Sequence, residues 1–193
     1  MSDVISYTVP HNHCYAEEMQ LPFTPYHMGP GLLVKALLRG SFSLVVFGVA
    51  QVAMDLQPLV VMVTGQGQYH GWTHTYLAAL ALGLLCAPAG KYLGDLALRA
   101  LPRSDRRHVR ITWPIALLSA LVGSFSHVFL DSLIYADVAP FAPFSPANPL
   151  AGTLSSAALR DLCVYSGLIG LTLYLVSSYL LSRHNKRVNL TRS

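Results

Sequence analysis

Four long apolar runs divide this chain. Ser41–Thr64 carries one charge, Asp55, and Trp72–Gly90 holds His74 as its only ionisable group. Ile111–Ser126 is uncharged and continues through His127 and Asp131, and Leu162–Leu181 is uncharged throughout. Each run approaches or exceeds the ~20 residues that cross a bilayer as a helix. The pattern predicts an all-α, polytopic membrane bundle of four spanning helices.

A shorter apolar run, Leu32–Leu38, precedes them and contains Lys35. It follows the turn-rich stretch Pro22–Gly31, whose Pro30 suits the first turn of a helix. Gly40-Ser41 allows a break behind it. Two layouts fit. One is a bent helix from Pro30 through Leu59. The other is a re-entrant half-helix that enters from outside, turns near Gly40 and is followed by a helix climbing back. Around this embedded domain, 26–182, lie a polar tail, 1–25, and a basic tail, 183–193.

Composition supports the membrane reading. Only 11% of residues are charged and 53% are hydrophobic, whereas soluble domains average about 25% charged. The net charge of +4 is concentrated in two places. Arg99, Arg103, Arg106, Arg107 and Arg110 lie between the second and third runs, and Arg183, Lys186, Arg187 and Arg192 follow the fourth. The positive-inside rule puts both segments, and so the C-terminus, in the cytoplasm. Topology accounts for these arginines, and no nucleic-acid partner is expected. Cys14, Cys86 and Cys163 show neither disulfide nor zinc-knuckle spacing; Cys86 and Cys163 read as small apolar fillers. His11, His13, Cys14, Glu17 and Glu18 read as part of a solvated tail. No cleavable signal is expected, because the first apolar run starts after Gly31.

The polar residues inside the runs carry the chemistry. Asp55 lies ~21 Å along a helix from Ser41, and His127 lies ~24 Å along one from Ile111. Both then fall in the outer third of the membrane. His127 and Asp131 are four apart and share a helix face. His70 and His74 have the same spacing, at the expected outer start of the second span. A central Asp costs ~2.5–3.5 kcal/mol on insertion scales. Such groups from three spans, gathered at one depth, imply compensation by a metal or by one another.

Imidazole and carboxylate ligands suit a divalent metal, zinc first, with iron or manganese as alternatives. The candidate ligands are Asp55, His70, His74, His127 and Asp131, with Asp55 and Asp131 also candidate catalytic carboxylates. A metal with an open position lowers the pKa of bound water toward about 7, which is the chemistry of metal-assisted hydrolysis.

Several motifs resemble the YdjM-type inner-membrane proteins, described as membrane-bound metal-dependent hydrolases. They are His27 in Tyr-His-Met-Gly-Pro-Gly, Asp55 in Met-Asp-Leu-Gln-Pro-Leu, Gly71-Trp-Thr-His74-Thr, and Ser126-His127 with Asp131 before a proline-rich loop. The resemblance runs from about Pro22 to Leu150. It implies a bacterial inner-membrane location, adds His27 to the ligand set, and favours the re-entrant layout. Three positions depart from the pattern. Gln57 replaces a second acidic residue, Tyr69-His70 replaces His-Arg, and Tyr135 replaces a frequent His. They favour one metal over two. The function expected is hydrolysis at the external face of a lipid-linked or periplasmic ester or phosphoester. The alternatives are a transporter or proton relay using the same groups, a haem protein, or a structural membrane protein.

Overall fold

The computed structural model describes residues 25–100 and 111–190, and all regular structure among them is helical. In chain order the helices are α1 (Met28–Leu38), α2 (Leu44–Met54), α3 (Leu56–Thr64), α4 (Tyr76–Ala100), α5 (Trp113–Ser132) and α6 (Ser156–Leu190). Four stretches are long and apolar enough to cross a membrane: Leu44–Thr64, which is α2 and α3 together, Tyr76–Arg99, Trp113–Ser132 and Ser156–His184. The protein is an α-helical bundle of membrane-protein type. The tail residues His11, His13, Cys14, Glu17 and Glu18, together with Arg103, Arg106, Arg107, His108, Arg110 and Arg192, lie outside the described residues.

Of the two layouts, the chain follows the one that folds back after α1 rather than a single bent helix. α1 has 11 residues, about 16 Å at 1.5 Å per residue and half a hydrocarbon core. It starts beside the cluster described below and turns back at Arg39–Ser41, so that α2 returns toward the same end. Lys35 stabilises the turn by donating to the carbonyls of Arg39 (2.5 Å) and Phe42 (2.6 Å), which the end of a helix leaves without partners. The Arg39 guanidinium donates to Ser177 (2.5 Å) and Ser178 (3.3 Å) and lies over Tyr174, fixing the far end of α1 to α6. Close approach at the near end requires Gly29, where any Cβ would overlap the Cys163 carbonyl.

α2 packs on α4 and α5 through small apolar residues, among them Val46, Ala50, Cys86, Ala87, Ala116 and Ala120. Buried Cys163 packs with Leu130 and Leu159 in a second cluster. Both cysteines are apolar fillers, as expected. The Leu44–Thr64 stretch breaks at Asp55. Pro58 has no N–H to give the Met54 carbonyl, and its ring crowds that carbonyl, so the helix is interrupted within that turn. The break puts Asp55 at a helix joint inside the bundle.

One local expectation is corrected. His70 and His74 do not share a helix face, because α4 starts only at Tyr76. Thr75 is its N-cap. The Thr75 hydroxyl accepts from Ala78 N–H at 3.0 Å, and its carbonyl accepts from Ala79 N–H at 2.8 Å. Trp72–His74 is a 3₁₀ turn in front of it. The proline-rich loop after α5 is tied down by Asn148, which donates to the carbonyls of Ser132 and Tyr135, both at 3.0 Å. Pro140 accepts from Tyr76 N–H at 2.8 Å, so the same loop is fastened to the start of α4.

Candidate metal centre

All six sequence-chosen residues meet at one end of the bundle. His27 comes from the turn before α1, Asp55 from the α2–α3 joint, His70 and His74 from the segment before α4, and His127 and Asp131 from α5. Asp131 lies between the histidines. Its Oδ2 is 3.1 Å from His127 Nε2 and 3.3 Å from His74 Nε2, and its Oδ1 is 3.7 Å from His27 Nε2. Asp55 Oδ1 is 3.2 Å from His127 Nε2. The donors form three overlapping sets in which ligand atoms lie within 4.8 Å of one another: His27, His127 and Asp131; Asp55, His74 and His127; His70, His74 and Asp131.

Hydrogen bonds behind the cluster determine which nitrogens face it. His127 Nδ1 lies 2.6 Å from Gln51 Oε1, which can only accept, so Nδ1 carries the proton. The same logic holds for His74. Thr73 Oγ1 donates to Gln57 Oε1 at 2.6 Å and therefore accepts from His74 Nδ1 at 3.0 Å. Gln57 Oε1 also accepts the Thr73 backbone N–H at 3.1 Å. Gly71 gives this amide room, since a Cβ there would overlap it. In the neutral rings, Nε2 of both His74 and His127 then presents a lone pair to the two carboxylates. Hydrogen bonds of this kind, made by the ring nitrogen turned away from a metal, orient metal-binding histidines.

These residues fit a metal. His74 Nε2, His127 Nε2 and His27 Nδ1 are buried and make no hydrogen bond. The first two lie 3.1–3.3 Å from carboxylate oxygens without the alignment that a hydrogen bond requires. Such atoms are rare in buried sites, where polar groups are paired. The buried carboxylates of Asp55 and Asp131 form ion pairs only with imidazoles among the described residues, an arrangement that a bound cation would also satisfy.

His70 sits at the rim. Its Nδ1 is 3.0 and 3.1 Å from the two oxygens of Asp137, and its ring stacks on Tyr135, with centroids 4.1 Å apart, and meets His74 edge-on at 4.9 Å. Tyr135 thus packs directly on a candidate metal-binding histidine. Burial raises the pKa of Asp137, but the hydrogen bond from His70 and its charge outweigh burial and hold the carboxyl below 3.8. Sequence reasoning assigned no site role to Gln51 or Thr73. The available signals were a lone amide four residues before Asp55 in an apolar run and a hydroxyl adjoining His74.

Comparison of the chain with protein-family models, with curated proteins and with solved structures finds no match.

Proposed function

We propose that this protein is a membrane-bound, metal-dependent hydrolase whose centre lies at the external face of the membrane, with the basic C-terminus in the cytoplasm. The observation that carries the reading is the set of buried, unpartnered imidazole nitrogens facing Asp55 and Asp131. The motifs that resemble those of YdjM-type proteins support it and favour a bacterial inner membrane. His74, His127 and Asp131 hold the metal. Zinc suits this nitrogen and oxygen donor set best, and iron or manganese would also fit. The bound cation supplies Lewis acidity and a water of lowered pKa.

The chain's own residues set the rest of the chemistry. Gln51 and Thr73 hold the two imidazoles in the tautomer with Nε2 inward. Asp55, at the helix joint, is either a further ligand or the carboxylate that takes the proton from the attacking water. His27 closes the side next to α1, and Asp137 steers His70 at the rim. The substrate class is a lipid-linked or periplasmic ester, with a phosphoester preferred.

The test is hydrolysis of chromogenic carboxylic and phosphoric esters by the detergent-purified chain. Activity should vanish with chelator, return with zinc, iron(II) or manganese, and be lost in Asp131→Asn. A metal-loaded protein inert to both ester classes would count against a hydrolase. One observation favours a second reading: His27, Asp131, His127 and Asp55 form a contiguous run of titratable groups, as a proton relay needs. Proton flux into liposomes that survives complete metal removal would select that reading.

A further inference from the structure

A narrow, part-open cleft leads from the surface to the centre. His27 and Asp131 belong to both the cleft and the cluster. The opposite wall is the start of α6, with Ser156 at its first position and Arg160 one turn on. Ile134 and Leu159 make part of the wall apolar.

Three features of this wall favour a negative ligand with several oxygens. The first is Arg160. Its hydrogen bond to Asp161, at 3.4 Å, uses Nε, so the terminal nitrogens of the guanidinium remain for another acceptor. The second is the first turn of α6, where N–H groups lack intrahelical partners and the helix dipole favours negative charge. Ser155 caps it by accepting Ala158 N–H at 3.2 Å. The third is His27 itself, which is 5% exposed. Its Nε2 is turned toward Asp131, and its Nδ1 has no partner in the protein. His27 lines the cleft, and a buried ring nitrogen of this kind calls for a partner that the protein does not supply. A planar carboxylate has two oxygens. A phosphoryl group offers more oxygens to the several donors of this wall.

We infer that this cleft receives the phosphoryl group of a phosphate ester, held by Arg160 and the first turn of α6 with the ester placed against the metal centre. As a statement about substrate it rests on the hydrolase reading; as a statement about binding it stands apart from it.

The experiment is calorimetric titration of the full detergent-purified chain with inorganic phosphate, short-chain phosphatidic acid and a short-chain fatty acid. Metal content is measured on every sample. Wild type is compared with Arg160→Gln and Arg160→Lys; Arg160 is nearly half exposed, so neither substitution threatens the fold. Phosphate or phosphatidic acid should bind and the fatty acid should not. Arg160→Gln should weaken phosphoryl binding about ten- to a hundredfold at unchanged metal content, the scale of a lost charge-assisted bond. Arg160→Lys should recover only part, because it lacks the planar fork. Tighter binding of phosphatidic acid than of phosphate would assign a lipid source, and equal binding a soluble one. The inference is overturned if neither phosphoryl probe binds, or if Arg160→Gln binds them as well as wild type. Arg160-dependent phosphate binding by a protein that takes up no metal would keep the site and remove the hydrolase reading. Metal-dependent cleavage of neutral esters without phosphoryl binding would do the reverse.

Discussion

Replacing Gln51 by leucine tests whether the centre is built from behind as well as from its ligands. Gln51 touches no candidate ligand atom that faces the cluster. Its Oε1 accepts from His127 Nδ1 at 2.6 Å, deep in the protein, and its amide reaches Ser126 Oγ only weakly, at 3.3 Å. Leucine is apolar and of similar bulk, so packing between α2 and α5 is retained while the acceptor is lost. Two costs follow. The His127 N–H is left buried without a partner, which lowers the stability of the metal-free fold by about 1–3 kcal/mol. The ring also loses the constraint on its tautomer and orientation. Loss of the hydrogen-bond partner behind a metal-binding histidine typically weakens metal binding about 10–100-fold, about 1.4–2.7 kcal/mol. The assay is zinc competition against a chromophoric chelator in detergent, with unfolding monitored on the same samples. Gln51→Glu keeps an acceptor at that place and should retain wild-type affinity or better. Affinity within twofold of wild type in a folded Gln51→Leu protein, beside its loss in His127→Ala, would refute the reasoning and reduce Gln51 to a packing residue.

Other outcomes follow from the same geometry. Gly29→Ala should push α1 off α6, because the new methyl overlaps the Cys163 carbonyl. It should cost about 1–3 kcal/mol of stability by overpacking, and it should weaken metal binding through displaced His27; unchanged unfolding would show that the helices part freely. Asp137→Asn should be mildly destabilising, by about 0–1 kcal/mol at most for so exposed a pair. Its carboxyl is held below 3.8 in the folded protein, so the contribution is present above that pH and fades as the pH falls through the lowered value. A wild-type-to-variant difference in unfolding that persists well below pH 3.8 would contradict the pairing with His70. Free metal at a hundred times its dissociation constant should add about 2.7 kcal/mol of stability, and chelator should remove it; a melting curve indifferent to chelator would count against a resident ion.

Much of this architecture is legible in the sequence, because lipid imposes a simple rule on helices. Uncharged runs mark the spanning stretches, and rise per residue is enough to put Asp55 and His127 at one level. Depth arithmetic cannot decide whether Leu32–Leu38 continues into the next helix or folds back. That depends on Lys35 binding the Arg39 and Phe42 carbonyls and on a glycine contact with α6, which are tertiary facts. The i,i+4 spacing of His70 and His74 suggests a shared helix face, yet the Thr75 cap stops the helix short of both. The two rings still meet, through a 3₁₀ turn rather than an α-helix. Gln57 looks like a lost acid when the motif is read alone. In three dimensions it organises Thr73, and through it His74. Supporting amides leave little sequence signal, because a lone Gln in an apolar run is equally compatible with a bond between helices.

The central claim is that Asp55, His74, His127 and Asp131 surround a metal ion. Its most direct test is elemental mass spectrometry of the detergent-purified protein, with wild type beside His74→Ala and His127→Ala and each checked for folding. The account expects near-stoichiometric zinc, iron or manganese in wild type and its loss in both variants. A folded wild type that holds no metal, even after incubation with each of the three ions, would contradict it.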